Sequence, residues 1–341
     1  MKQTCILVLG MHRSGTSALT GTLNLLDIDL GSELMKANFA NEKGFFENSY
    51  LMHFNDKLLR RVNSSWDDIF FDYDEKEQFI DENDKDELKN ILLQEFNNST
   101  LFAIKDPRIC YLFPLYEEAL SELQIGIKVL LPYRNPLEVA QSLEKRNGFS
   151  IEKSVALWLN HFLEAELRSR PYKRYFLKFD TLLGETEQTV KQIDDFLNTD
   201  LFEAYIKNKT EINSFLEPNL KHNNLDKLAL QKGIRFVLED FLNLYHQDLN
   251  SVSKETFDAM RHKNDEIRRF YSACTLDLKI ELDNAKNELD NAKNELNNTK
   301  KELSSANIAM QALKQELAMV YESKSWKITK PLRIIKTYIK G

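Results

Sequence analysis

Cys5-Ile6-Leu7-Val8-Leu9-Gly10-Met11-His12-Arg13-Ser14-Gly15-Thr16-Ser17, followed by Ala18 to Leu26, is the stretch on which the rest of the chain hangs. Ile6 to Leu9 is an unbroken apolar run, the pattern of a strand buried on both faces of a parallel sheet. Gly10 and Gly15 bound a polar turn in which backbone N–H groups can converge. Thr16 and Ser17 then open a helix, whose free N–H groups and dipole favour an anion at its start. Strand, turn and helix together predict an anion-binding loop at the carboxyl end of a sheet strand.

The spacing Gly10-x4-Gly15-Thr16-Ser17 matches a P-loop except that Thr16 stands where the P-loop lysine belongs. Arg13 is the cation left inside the turn. The loop therefore reads as a phosphate binder that is not built for the γ-phosphate of ATP.

Outward from the loop, apolar runs alternate with helical patterns. Leu101 to Ile104 reads as a second buried strand, stopped by Lys105-Asp106-Pro107-Arg108. Ile127 to Tyr133 is a third, followed by Arg134-Asn135-Pro136, with Pro136 suited to a first helical turn. Tyr175 to Phe179 is a fourth. Helices are expected over 18–26, from Leu51 to Leu59, and over 113–123, 136–143, 181–197 and 227–249. Another follows Ser150, which reads as an N-cap. Gly21 reads as a close helix–sheet approach. Residues 67–95 are strongly acidic and read as a solvated face, because the acids are not placed to converge. Strands alternating with helices give an α/β fold, a P-loop-like parallel sheet flanked by helices, with ligands expected at the carboxyl ends of the strands.

At 341 residues, with 42% apolar residues and 21 Phe, the chain can bury one sizeable core and carry an appendage. The net charge of -7 argues against nucleic acid as a partner. Three widely spaced cysteines without metal-ligand spacing read as reduced thiols, and no apolar span is long enough to act as a leader or membrane helix. A cytoplasmic location is expected, peripheral to the inner face of a membrane.

The composition changes near Leu276. Leu282, Leu289, Leu296, Leu303, Met310 and Leu317 recur every seven residues, with Ala285, Ala292, Thr299, Ala306, Leu313 and Val320 three positions after each. Lys286, Lys293 and Lys300 then fall at e, and Glu288, Glu295 and Glu302 at g, the signature of a coiled coil. Self-association through 276–320 is expected. From Lys324 to Gly341 there are six cations and no acid, mixed with Trp, Ile, Leu and Tyr. That composition suits an anionic membrane surface or a partner groove. The expected organisation is a catalytic domain over 1–250, a helical connector over 251–275, a coiled coil over 276–323 and a basic amphipathic tail over 324–341.

Taken together, Gly10 to Ser17, Lys105-Asp106-Pro107-Arg108, and Arg134-Asn135-Pro136 with Ser142 eight residues after Arg134 resemble the PAPS-dependent sulfotransferases. More closely, the chain resembles the bacterial sulfotransferase-family proteins found with surface-polysaccharide biosynthesis, over roughly residues 4–250. The resemblance implies that Arg13, Ser14, Gly15, Thr16 and Ser17 bind the 5′-phosphosulfate of PAPS. It implies that Arg134 and Ser142 grip the 3′-phosphate, with Lys221 adding a contact, and that no metal is required. An arginine supplies a planar fork to a phosphate, so the physical reading agrees. Sulfuryl transfer needs a base at the acceptor hydroxyl and positive charge on the departing phosphate. Arg13 can supply the charge. Glu47, in Gly44-Phe45-Phe46-Glu47, resembles the family's base and could equally cap the helix that follows; His53 is the alternative base. Lys105, Asp106 and Arg108 are expected to orient the acceptor or the loop, and His12 to pack the loop.

The ending Ser323-x-Ser325-Trp326-Lys327-x-Thr329-x-Pro331-Leu332-Arg333 resembles one found on bacterial glycosyltransferases, which implies a saccharide or lipid-linked saccharide acceptor. Two other functions stand against sulfotransfer: a P-loop kinase or NTPase, and a non-catalytic nucleotide-binding scaffold assembled through the coiled coil. The acceptor would be chosen by residues 33–100 and 200–225.

Overall fold

Four of the apolar runs pair into one parallel sheet. The computed structural model describes residues 3–35, 44–72, 74, 79–216 and 232–340. Strands β1 (Thr4–Val8), β2 (Leu101–Lys105), β3 (Gly126–Tyr133) and β4 (Lys173–Lys178) lie in the order β2-β1-β3-β4. Thr4 sits opposite Leu101 and Gly126, and Val8 opposite Lys105 and Leu130, so β1 and β2 end level while β3 runs on past them to Tyr133.

The helices of the first half are α1 (Thr16–Leu25), α2 (Ser49–Arg61), α3 (Glu82–Phe96), α4 (Ile109–Glu122), α5 (Pro136–Asn147) and α6 (Ile151–Arg168). Those of the second are α7 (Phe179–Gly184), α8 (Thr186–Leu197), α9 (Leu201–Phe215), α10 (Lys232–Leu244), α11 (Lys254–Glu322), α12 (Lys324–Ile328) and α13 (Lys330–Lys340). Alternation along the strands divides the core between the two faces of the sheet. Cys5, Leu7, Phe102, Ile104, Val129 and Leu131 pack on one side against α2 to α6 and α10. Ile6, Val8, Ala103, Leu130 and Leu177 pack on the other against α1, α8 and α9. Both faces are covered, which is why the strands read as continuous apolar runs.

Polar side chains cap the helix starts, at Ser150 as expected, and at Asn135 and at Asn48 rather than Glu47. Ser150 Oγ accepts from Lys153 N–H at 3.1 Å, and Asn135 Oδ1 from Leu137 N–H at 2.9 Å beside Pro136. Asn48 Oδ1 accepts from Tyr50 and Leu51 N–H at 3.1 and 3.2 Å to start α2. Each such cap contributes about 1 kcal/mol.

Several expectations change. Residues 82–96 are a helix with Leu88, Leu92 and Phe96 buried, and Asp84 is 3% exposed, gripped by both terminal nitrogens of Arg61 at 2.7 Å. The acidic stretch is thus partly core, and one of its acids is a buried ion pair. Gly21 faces Phe46 and Phe215 rather than the sheet, since a Cβ there would overlap both rings. The helix expected over 181–197 breaks at Gly184 into α7 and α8, and α9 follows with Tyr205 and Ile212 buried. The helix expected over 227–249 is described from Lys232 to Leu244.

The chain divides into two compact units, Met1–Ala273 and Cys274–Gly341. Within the first, the start of α11 buries Phe257 and Met260. Beside them Glu166 is fully buried, bound by Arg170 at 2.8 Å and Arg174 at 2.9 Å, with Arg261 at 4.0 Å. Within the second, α11 continues as a helix to Glu322, with Leu282, Leu289, Leu296 and Leu303 each more than half exposed. No helix of the described residues is long and apolar enough to cross a membrane.

Candidate anion-binding active site

The chain leaves β1 toward β2 on one side, and leaves β3 toward β4 on the other. The carboxyl ends of β1 and β3 therefore form the topological switch point, where parallel sheets open a crevice for ligands. Residues 10–15 follow β1 there and Arg134 and Asn135 follow β3. Leu9 N–H donates to Leu130 O at 3.0 Å, carrying the ladder one residue beyond the strand and fixing where the turn begins.

The turn needs unusual backbone. Arg13 has φ +70° and Gly15 φ +92°, both left-handed. A Cβ at Gly15 would lie 2.5 Å from Phe179 Cδ2, so glycine is required for space as well as for dihedral angle. Its left-handed bend aims Arg13 at α5, where Nε donates to Ser142 Oγ at 2.7 Å. Ser14 is fully buried, and its Oγ has no hydrogen-bond partner among the described residues.

A cleft opens over the loop, lined by His12, Arg13, Gly15, Thr16, Ser17 and Ala18 from below. Gly44, Phe45, Phe46, Arg134, Arg146, Phe179 and Phe215 complete it. Arg134 Nε binds Glu138 Oε2 at 2.7 Å, and its guanidinium lies 4.9 Å from the centre of the Phe179 ring. Arg146, one turn after Ser142 on α5, lies 5.5 Å from the Trp66 ring centre. Three guanidiniums in one cleft repel each other. Burial and then Arg134 hold Arg13 below its ordinary proton affinity, while burial and then Arg13 push Arg146 down to about 10. Arg13 and Arg146 stay charged at neutral pH even so, and the cleft carries a positive field that a polyanion would relieve.

Gly44-Phe45-Phe46-Glu47 closes one side. Gly44 has φ +101° and Phe46 φ +55°, and Ser17 Oγ donates to Phe45 O at 3.3 Å. Phe46 packs edge-on against Phe215, with ring centres 5.7 Å apart, in the space that Gly21 leaves free. This left-handed bend places Phe45 and Phe46 in the cleft wall and turns Glu47 into the protein.

Glu47 is 2% exposed, and its Oε1 accepts from Lys105 Nζ at 2.6 Å. Arg108 Nη1 stands 3.7 Å from its other oxygen. Arg108 also binds Asp106 at 2.9 Å and Asp56 at 2.5 Å, and Asp106 accepts from Asn55 at 2.9 Å. Lys105, Asp106 and Arg108 are 2, 1 and 6% exposed. The triplet expected to orient the acceptor or the loop is thus a buried, mutually satisfied network at the end of β2, and none of its side chains lines the cleft. Burial pushes the Glu47 carboxyl up; Lys105 opposes this and Asp106 adds to it, leaving a net rise.

His12 lines the cleft, edge-on to Trp66 at 4.6 Å between ring centres. Burial, then Arg146, Arg108 and Lys105, lower its proton affinity well below the ordinary histidine value, so it is neutral at pH 7. His53 is not brought to the loop. It is exposed on α2, its Nδ1 2.6 Å from Ser49 O, in a depression with Lys57, Asn83, Asn90 and Gln94. Lys221 lies outside the described residues. Among the described residues no group of three His, Cys, Asp or Glu could hold a metal ion.

Reasoning from sequence passed over Arg146, Phe179 and Phe215, and gave His12 to loop packing rather than to the cleft. Arg146 carried a usable signal, because it falls four residues after Ser142 on the same helical face. The two phenylalanines arrive from distant elements and had none.

No family model matches the chain, and no curated protein matches it. Among solved structures it is similar to the sulfotransferase domain of the Synechococcus PCC 7002 olefin synthase, at 16% identity and a TM-score of 0.41. That similarity covers 71% of this chain and 96% of the other. It is also similar to the sulfotransferase domain from the curacin biosynthetic pathway, at 15% identity and a TM-score of 0.38, over 71% of this chain and 98% of that one.

Proposed function

We propose that the cleft binds a nucleotide with two separate phosphate groups, PAPS, and that the protein transfers its sulfuryl group to an acceptor hydroxyl. The observation that carries this reading is the Arg13–Ser142 hydrogen bond, which ties the loop after β1 to the helix after β3 beside Arg134 and Arg146. A γ-phosphate site would need the lysine that Thr16 replaces; here the cations sit instead as two groups over adjacent strands. The unpartnered Ser14 hydroxyl and the space kept open at Gly15 fit an anion held close to the backbone.

In this reading Arg13 and the loop N–H groups neutralise the phosphate that departs when the acceptor oxygen attacks sulfur and the S–O bond to phosphate breaks. Arg134, Ser142 and Arg146 hold the second phosphate. The acceptor proton goes to a base beside the loop. His12 is the better placed one, since it lines the cleft and is neutral, whereas Glu47 is tied to Lys105. Glu47, Lys105, Asp106 and Arg108 then act as a positioning network that braces the loop and the 44–46 wall. The C-terminal resemblance supports a saccharide as acceptor.

Calorimetry and a transfer assay test this. PAP should bind without magnesium and ATP should not; the opposite result makes the protein a kinase or NTPase. Radiolabelled sulfate should move from PAPS to a saccharide, and binding of PAP with no transfer to any hydroxyl acceptor would leave a scaffold. His12→Asn should lower transfer by about 10²-fold or more with PAP affinity kept. An unchanged rate in that variant, with a loss in Glu47→Gln, returns the base to Glu47.

A further inference from the structure

The motif at residues 323–333 folds into a clasp made by the side chains of Ser323, Thr329 and Arg333 with Trp326. Ser323 Oγ accepts from Trp326 N–H at 3.2 Å to start α12. Thr329, between α12 and α13, donates to Ser325 O at 2.8 Å. Arg333 reaches back with Nη1 to Thr329 Oγ1 at 2.7 Å and Nη2 to Trp326 O at 2.6 Å, its guanidinium 3.6 Å from the Trp326 ring centre. Tyr321 packs edge-on against the same ring, 5.0 Å between centres.

What the clasp leaves outside is apolar and cationic. Ile328, Leu332, Ile334 and Ile335 are 75, 67, 49 and 55% exposed. At 100° per residue, Pro331, Leu332, Ile334 and Ile335 fall in one half of the α13 wheel, with Lys330 and Arg333 in the other; in the sequence Lys336 and Lys340 continue the cationic half. Lys327, Lys330 and Arg333 also line a recess with Tyr321, Trp326 and Ile334. From Lys324 onward there is no acid to oppose them.

We propose that residues 324–340 dock the protein on an anionic phospholipid bilayer, lying in its surface. The isoleucine and leucine side chains of α13 enter the acyl boundary, and the cations meet headgroup phosphates. A helix with segregated apolar and basic halves is built for that interface. A protein groove complementary to it would have to be both acidic along one edge and apolar along the other. The bilayer offers both along its whole plane, and the absence of any acid from the segment fits a uniformly negative surface better than a mosaic one.

Co-sedimentation of the full-length protein with vesicles tests this. With phosphatidylcholine–phosphatidylglycerol vesicles the protein should pellet, and its partition should fall about tenfold or more with phosphatidylcholine alone or at raised salt. Ile335→Glu and the pair Lys327→Glu with Lys330→Glu should each abolish pelleting, while PAP affinity and helical circular dichroism match the wild type. Wild-type protein that stays in the supernatant with anionic vesicles overturns the proposal. So does Ile335→Glu pelleting like wild type, or shifting only the sedimentation coefficient of the protein alone, which would make the face a protein contact. Because vesicle binding is read without nucleotide, its failure leaves the reading of the cleft untouched.

Discussion

Arg13 Nε lies 2.7 Å from Ser142 Oγ, so a charged hydrogen bond ties the loop after β1 to the helix after β3. Ser142→Ala removes that bond. A hydrogen bond to a charged group contributes about 1.5–3 kcal/mol, so PAP affinity should fall by about 10- to 100-fold. Arg13→Ala should abolish binding. Titration calorimetry reads both, and a Ser142→Ala affinity equal to wild type removes the bond from the site.

Gly15→Ala tests the bend. The new methyl meets Phe179 and the residue must keep a left-handed φ, which together should cost about 1–3 kcal/mol of stability. Phe179 also underlies Arg134, so a shifted ring should disturb both cation groups. Thermal unfolding should show the lower Tm. Gly15→Ala with Phe179→Leu should recover part of the stability but not the PAP affinity.

The Lys105–Glu47 pair carries a pH signature. The fold raises Glu47's proton affinity, so its contribution to stability is full below the ordinary carboxylate range and fades as pH climbs through the raised value. Lys105→Met removes the cation that opposes that rise. It should destabilise the protein by about 3–5 kcal/mol at neutral and alkaline pH, where the buried carboxylate loses its nearest cation and keeps Arg108 at 3.7 Å. The loss should shrink as the solution is acidified and Glu47 takes up a proton. Urea unfolding at two pH values checks the direction.

If His12 receives the acceptor proton, transfer should hold its rate down to a pH well below the ordinary histidine range, because burial and Arg146 resist its protonation. His12→Asn should flatten that acid limb.

The heptad leucines predict self-association. Leu289 and Leu296 are 55 and 54% exposed on α11. Leu289→Glu with Leu296→Glu should convert an oligomer to a monomer in sedimentation equilibrium without changing PAP affinity.

What could be read from residues alone followed local rules. Ile6 to Leu9, the glycine-bounded turn and Thr16 announced strand, loop and helix because apolar runs and caps act over a few residues. Pro136 in a first helical turn and Ser150 as a cap were visible for the same reason. The fate of Glu47 was not visible, since only the left-handed Phe46 turns it away from the cleft and toward Lys105. Nor was the burial of Asp84, which depends on Arg61 from another helix. His53 shows the limit in the other direction: its chemistry suited a base, but its place near the start of α2 puts it on the face beside Lys57, Asn83 and Asn90, away from the loop.

The ladder between β1 and β3 has one more consequence. Arg13 and Arg134 hang from neighbouring strands whose partners are fixed residue by residue from Thr4–Gly126 to Val8–Leu130. Adjacent strands lie about 4.8 Å apart and cannot slide without turning every core side chain to the wrong face. The sheet is therefore a ruler, and on the proposed reading the distance between the two phosphates of the ligand is graduated in backbone rather than in side chains. Exchanging arginines for lysines would change how tightly a ligand is held; only a shift in strand register would change how long it has to be.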